Sequence, residues 1–250
     1  MAIVDELLSA LDAVEAAHTQ SLASVIEAAT VSIVQSSRGL ESIGQLSSPH
    51  RVNILEELQR LWQASVRASA PVTAELIQLS EKSFDDYALS NYITLYGATR
   101  AQQILNTTER QIQQLIGRGI AQGNSSSDVF ESLIARANAI GLNRSLIITR
   151  TESHGVSQYV SFSHALQSSI ALDKIWNTTH DQETRDFGEI GRASQFNHRI
   201  MDKVRIPLRA HFRVPMLIGG SEGLMFPGHP GGSAGNIINC RCIQTYARAR

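Results

Sequence analysis

The chain has 250 residues, of which 42% are hydrophobic and 18% are charged, and its formal net charge is −1. This balance is typical of a folded globular protein and excludes a wholly disordered chain. The sequence has no run of about eighteen apolar residues to indicate a membrane span, and its first residues lack the basic stretch of a secretory signal. Two cysteines are too few for a disulfide framework, so we expect the protein to fold in the cytoplasm of the cell that makes it.

Residues 1–141 are predicted to be helical almost throughout, because apolar side chains recur at intervals of three and four positions. Pro49 marks a break after the first helix, and Pro71 is expected to end the second helix and open the next at its first turn. Gly123 is expected to stop a later helix, and Gly141 to act as the C-cap of the last one. This part of the chain is therefore predicted to be a helical region.

The character of the sequence changes after Gly141. Eleven of the seventeen glycines and four of the six prolines lie at or beyond this position, which favours turns and short strands. One more helix is predicted from about residue 150 to residue 168, followed by short runs of β-type sequence. These runs cover residues 170–176, 204–208, 211–214 and 237–246. The predicted fold class is α+β, with a mostly helical N-terminal region and a small, independent α+β domain of short antiparallel strands at residues 142–250.

The charge is concentrated at the two ends of the sequence. Residues 1–50 carry six acidic groups and one basic group, whereas residues 198–250 carry eight basic groups and two acidic groups. A basic stretch is the usual footprint of contact with nucleic acid, and a solvated basic face or a patch for an acidic protein is the alternative. We expect Arg205, Arg209 and Arg213 to face DNA or an acidic partner.

The two cysteines lie together in Asn239-Cys240-Arg241-Cys242. In a strand, this spacing would place both thiols on one face. With a histidine such as His198 they would suit tetrahedral Zn²⁺, although zinc sites ordinarily use Cys-x₂₋₄-Cys rather than Cys-x-Cys. The alternative is a pair of small buried side chains on the inner face of a strand, with no cofactor, since free cysteine is among the most buried residue types.

Several motifs of the C-terminal half occur in a fixed order between residues 143 and 243. They are Arg150-Thr151-Glu152, Lys174-Ile175-Trp176, Asp181 with Arg185, His198 with Met201-Asp202-Lys203-Val204, Phe226-Pro227-Gly228-His229-Pro230, and Asn239-Cys240-Arg241-Cys242. Their order resembles that of the phage head-morphogenesis domain, the Mu F-like family of minor head proteins. Two positions depart from the family pattern, since Lys203 stands where the family has Gly and His229 where it has Asp.

The resemblance implies a minor head protein of a tailed bacteriophage or prophage. Such a protein would act in head morphogenesis and capsid assembly, by association with the portal protein and other capsid components, and would be carried into the virion. It could also contact packaged DNA without sequence preference. Residues 1–141 would then be the arm that docks on the portal or capsid. The resemblance further supports a structural role for Asp181 and Arg185, as a carboxylate–guanidinium pair that stabilises a polar loop.

Two enzymatic functions are the alternatives. One is a metal-dependent hydrolase that uses His198 and the two cysteines. The other is a degenerate relative of the ADP-ribosyltransferases, which use an Arg and a Glu-x-Glu pair. The sequence contains no Glu-x-Glu, and Arg150 and Glu152 fall in a predicted helix, where such residues more often form ordinary ion pairs. We therefore expect a protein without enzymatic activity.

Overall fold

The structure, a computed structural model, describes residues 2–37, 48–77 and 86–249. Long helices occupy most of the first two thirds of these residues. They are α1 (Ala2–Ser37), α2 (Ser48–Ile77), α3 (Asp86–Ala121) and α4 (Ser126–Gln167). The helix predicted from about residue 150 to residue 168 is part of α4, which begins at Ser126. The helix expected to open at Pro71 would continue over residues 78–85, which lie outside the described residues.

Short strands follow α4. They are β1 (Leu172–Asn177), β2 (Arg185–Asp186), β3 (Arg192–Ala193), β4 (Arg205–Pro207), β5 (Phe212–Pro215), β6 (Ser221–Leu224) and β7 (Ile243–Arg248). A 3₁₀ turn covers Arg199–Met201, and a four-residue helix, α5, covers Ala234–Ile237.

β1 is the central strand of a three-stranded antiparallel sheet with the order β4–β1–β7. The register places Ile175 of β1 opposite Arg205 on one side and opposite Thr245 on the other. β5 and β6 form a separate antiparallel hairpin, and β2 pairs with β3 in parallel. The predicted α+β class, with long helices followed by short antiparallel strands, is confirmed.

The described chain forms two compact units that do not follow the order of the sequence. The first, called here the sheet unit, consists of Met1–Glu15, Trp62–Tyr92 and Arg150–Arg250. The second, the helical unit, consists of Ala16–Leu61 and Ile93–Thr149. All strands belong to the sheet unit, which also includes residues from each of the four long helices. The division therefore lies elsewhere than at the expected boundary near residue 141.

Two predicted helix ends are wrong, one because of close packing and the other because of exposure to water. Gly141 lies inside α4 rather than at its end, and a Cβ at this position would lie 2.7 Å from the carbonyl oxygen of Ala23. Its role is to allow a close approach between α4 and α1 within the helical unit. Pro71 lies inside α2 and is exposed, as is Arg67, whose carbonyl loses its helical partner. Water can hydrate that carbonyl, so the helix continues.

The sheet unit buries its strands against helices from the start of the chain. Leu7 and Leu11 of α1 and Val72 of α2 form a buried cluster with Ile243 of β7. Ile77 of α2 and Ala165 of α4 likewise pack with Leu172 of β1 and Tyr246 of β7. A third buried apolar cluster includes both cysteines. It consists of Trp176, Phe196, Met201, Phe212, Val214, Leu224, Cys240 and Cys242.

The helical unit has its own apolar core. This core consists of Ile33, Val34, Ile112, Val129 and Leu133. The predicted stop at Gly123 is confirmed, because α3 ends at Ala121 and Gly123 has a φ of 83°. A glycine favours this left-handed conformation, which terminates helices.

Candidate functional site

Cys240 and Cys242 lie in an irregular segment between α5 and β7. The predicted strand over residues 237–246 is therefore wrong in its first half, since β7 begins only at Ile243. Two features delay the strand: Ile237 closes α5, and Asn239 turns the backbone with a φ of 60°. Asn is among the few residues that adopt this left-handed conformation readily.

His198 lies against both thiols. Its Nδ1 is 3.6 Å from the Sγ of Cys240 and 3.5 Å from the Sγ of Cys242. All three side chains are buried, at 1%, 3% and 4% exposure. The ring is held in place by Trp176, whose edge contact has a centroid separation of 5.3 Å, and by a hydrogen bond from the backbone N–H of His198 to the carbonyl of Arg185. The structure thus brings together the three residues that the sequence singled out as metal ligands.

A polar relay fixes the orientation of the His198 ring. Its Nε2 lies 2.6 Å from the Oδ1 of Asn236, and the amide nitrogen of Asn236 donates to Glu222 at 2.7 Å. Glu222 also accepts hydrogen bonds from the backbone and the hydroxyl of Ser233. Because the amide oxygen can only accept, Nε2 carries a hydrogen, and Nδ1 is the ring atom that faces the sulfurs.

Glu222 is ionised in this relay. Burial alone would raise its pKa, but the hydrogen bonds from Asn236 and Ser233 outweigh burial and lower the pKa. Neither Glu222 nor Asn236 was identified from the sequence. Their role is apparent only from the hydrogen bonds that link Glu222 of β6 and Asn236 of α5 to His198.

The two thiols have unequal affinities for protons. A hydrogen bond from Cys242 lowers the pKa of Cys240 well below its usual value, although burial opposes this effect, and the neighbouring His198 and Arg185 lower the pKa further. Burial raises the pKa of the Cys242 thiol. The cluster therefore readily supplies one thiolate, and a positive charge in contact with both sulfurs would favour the second.

The Arg-Thr pair of α4 holds the turn that precedes the cysteines. Nη1 of Arg150 donates to the side-chain oxygen of Asn239 at 3.0 Å, and the backbone N–H of Asn239 donates to the hydroxyl of Thr151 at 2.9 Å. Arg150 is in turn paired with Glu15 at 3.1 Å. The ordinary ion pair expected for Arg150 is thus present, and Glu152, two residues further along α4, is buried.

The expected pair between Asp181 and Arg185 is wrong. Asp181 instead pairs with Arg241 at 3.7 Å, and its Oδ1 accepts a hydrogen bond from Thr184. Arg185 is buried and donates to the backbone carbonyl of Ile238, one residue before the turn. Both side chains still stabilise the loop, but each does so by binding the C-terminal segment rather than the other.

A narrow crevice opens from the sulfurs between residues 179–185 and residues 239–242. Besides His198 and the cysteines, its lining residues are Thr179, Asp181, Glu183, Thr184, Arg185, Asn239 and Arg241. This crevice can admit water or a small oxygen ligand to the cluster. It has carboxylates, hydroxyls and guanidinium groups, so its chemistry is polar.

The remaining predicted residues lie elsewhere in the sheet unit. The motif at residues 226–230 packs on α4, where Gly228 has a φ of 75° and lies against Gly155. Arg205 is paired with Asp173 of the neighbouring strand at 2.9 Å. Arg209 and Arg213 are exposed, and neither forms an ion pair with any described residue. Arg205 therefore differs from Arg209 and Arg213 in having its charge paired.

Among the described helices, none has the length and apolar character needed to cross a membrane. No known protein family, curated protein or solved structure matches the chain.

Proposed function

We propose that the protein is a minor head protein of a tailed phage or prophage, and that it acts in head assembly through association with the portal. One observation supports this function best. The motifs that carry the resemblance are spread from Arg150 to Cys242, yet most of them meet at one place, the turn and thiols of residues 238–242.

A chance resemblance would not require such convergence. Motifs that matched by accident would be expected to scatter over the sheet unit, whereas here Arg150, Arg185 and His198 all contact the same five-residue segment. A shared structural core is what an assembly domain of this family would have. The departure at Lys203 fits the same interpretation, because its φ of 62° is a conformation that glycine adopts easily.

The portal contact is assigned to the helical unit. Five large apolar side chains among its described residues are exposed. These are Val52, Leu95, Ile120, Leu146 and Ile147. Exposed apolar side chains that lie together mark surfaces that bind another protein, and Leu146 and Ile147 are consecutive exposed residues of α4. Arg209 and Arg213 of the sheet unit are assigned to DNA or to an acidic partner.

The burial of the thiols favours this structural role over a hydrolase. A nucleophile or a catalytic metal must be reached by its substrate, but Cys240 and Cys242 are 3% and 4% exposed at the end of a narrow crevice. The ADP-ribosyltransferase alternative gains no support either, because Arg150 is engaged by Glu15 and Asn239.

The test is co-expression of the chain with the portal and major capsid proteins encoded in the same phage or prophage, followed by isolation of the heads. We expect the chain to sediment with heads and to bind the isolated portal. Leu95→Glu together with Leu146→Glu should abolish portal binding, whereas Ile218→Glu, a matched change at an exposed residue of the sheet unit, should not. Wild-type protein absent from both heads and portal would contradict the proposal.

A further inference from the structure

We infer that His198, Cys240 and Cys242 bind one Zn²⁺ ion in the sheet unit. This inference is independent of the role in head assembly. Tetrahedral zinc has bonds of about 2.3 Å to sulfur and about 2.0–2.1 Å to nitrogen, so neighbouring sulfur and nitrogen ligands lie about 3.6 Å apart. The two distances from Nδ1 of His198 to the sulfurs are 3.6 Å and 3.5 Å, and the ligand atoms of all three residues lie within 4.8 Å of one another.

A simple thiol–imidazole hydrogen bond explains this arrangement less well. Nδ1 has a single position for a proton, so it can form one good hydrogen bond with one sulfur. Here two buried sulfurs lie at nearly equal distances, 3.6 Å and 3.5 Å, from that one atom. One cation among the three atoms would engage all of them at once.

The charge balance of the cluster favours a divalent cation. Two thiolates and one neutral imidazole carry a charge of about −2, which Zn²⁺ neutralises, and zinc binds cysteine in its thiolate form. Burial of the site makes such neutrality important, because an uncompensated charge is costly away from water.

The surroundings of His198 are those of a metal ligand. A ligating histidine usually donates its second ring N–H to a carbonyl or carboxylate, which orients the ring. Nε2 of His198 is engaged in this way by the buried Asn236, and Asn236 is anchored by the ionised Glu222. The relay leaves Nδ1 aimed at the thiols.

The fourth position of the ion would face the crevice. There a water molecule can complete the tetrahedron, since the three ligands themselves line the crevice. The ion would connect the turn at His198 to the segment before β7. It would thus lock the C-terminal part of the sheet unit, which contributes Cys240 and Cys242 to the core around Trp176.

The first test measures zinc in the purified full-length chain. The affinity tag is removed, the thiols are kept reduced, and the protein is equilibrated with buffered zinc before elemental analysis. We expect about one zinc per chain in the wild type. Cys240→Ser with Cys242→Ser, and His198→Gln, should lose it, whereas His211→Gln, a matched change at an exposed histidine of the same unit, should keep it.

The second test uses wild-type protein and one variant that retains all three ligands, so it does not depend on the folding of the ligand variants. Co²⁺ added to the metal-free wild type should give the sulfur-to-cobalt charge-transfer absorption and the intense visible bands of a tetrahedral site. Asn236→Leu should keep these bands but bind zinc about 10- to 100-fold more weakly in competition with a chelator. Wild-type protein without bound metal in excess zinc, or stoichiometric zinc in the cysteine double variant, would overturn the assignment.

Discussion

Asn239 forms the backbone turn that precedes the two cysteines. Its backbone is left-handed, with a φ of 60°, and its side chain accepts a hydrogen bond from Arg150. A left-handed residue with a Cβ ordinarily costs about 1–2 kcal/mol, less for Asn than for most others and nothing for Gly. The position therefore requires both a permissive backbone and a side-chain acceptor.

We predict that Asn239→Ala destabilises the protein more than Asn239→Gly. Alanine loses the bond to Arg150 and strains the backbone, for a cost of about 2–3 kcal/mol, whereas glycine loses only the bond, for a cost of about 1 kcal/mol. Urea unfolding at a fixed zinc concentration measures both free energies. Equal losses for the two variants would show that the left-handed turn contributes nothing.

Lys174 is a buried cation with aromatic neighbours. Its Nζ donates to the carbonyl of Met225 at 2.5 Å and lies 4.8 Å and 5.2 Å from the ring centroids of Phe162 and Phe212. Burial lowers the pKa of Lys174 to about 8. In the unfolded chain the pKa should be near its ordinary value of about 10.4.

This difference predicts a rise in stability with pH. Between about pH 8 and pH 10 the folded protein has lost the Lys174 proton while the unfolded chain still holds it, so the free energy of unfolding increases, by up to about 1.4 kcal/mol per pH unit. Lys174→Met removes this contribution. Unfolding curves across the pH range should therefore diverge, with the wild type gaining relative to the variant, and parallel profiles would contradict the lowered pKa.

At the scale of elements, the strands depend on helices that are distant in sequence. Ile243 of β7 packs on Leu7 and Leu11 of α1 and Val72 of α2, and the hydroxyl of Ser161 in α4 donates to Tyr246 of β7. Residues 142–250 alone would expose these apolar surfaces to water.

We therefore predict that a fragment of residues 142–250 does not fold cooperatively, contrary to the expectation of an independent domain. Large apolar side chains each contribute about 1.5–3 kcal/mol when buried, and the fragment loses several such partners. Thermal unfolding followed by tryptophan fluorescence distinguishes the two outcomes, with the full chain as reference. A sharp transition in the fragment would restore the boundary near residue 141.

Much of the element pattern follows from local sequence, and most of the site does not. Helical periodicity and the glycine-rich C-terminal half predict long helices and short strands, and β1, β4 and β5 form close to the expected positions. The predicted helix ends at Pro71 and Gly141 are wrong, because Pro71 is exposed to water and Gly141 lies in a close contact between helices. The relay through Asn236 and Glu222 depends on hydrogen bonds between separate elements, which spacing along the chain does not reveal.

At the scale of the whole molecule, the basic C-terminal stretch separates into paired and unpaired arginines. Arg205 is 25% exposed and is neutralised by Asp173, whereas Arg209 and Arg213 are exposed and form no ion pair with a described residue. Only unpaired cations can replace the counterions of DNA at little cost.

Binding to duplex DNA should therefore depend on Arg209 and Arg213 more than on Arg205. Each phosphate contact contributes about one to the slope of log affinity against log salt, so Arg209→Gln with Arg213→Gln should flatten the slope by about two, and Arg205→Gln by less than one. Fluorescence anisotropy over a range of salt concentrations measures the slopes. An Arg205 effect as large as that of the pair would contradict the assignment.

X-ray absorption at the zinc edge of the purified full-length protein tests most directly whether His198, Cys240 and Cys242 share one ion. We predict two sulfur neighbours at about 2.3 Å and nitrogen or oxygen neighbours at about 2.0–2.1 Å. Replacement of both cysteines by serine should remove the sulfur shell. A zinc environment of nitrogen and oxygen alone in the wild type, or a sulfur shell that survives the loss of both cysteines, would contradict the site.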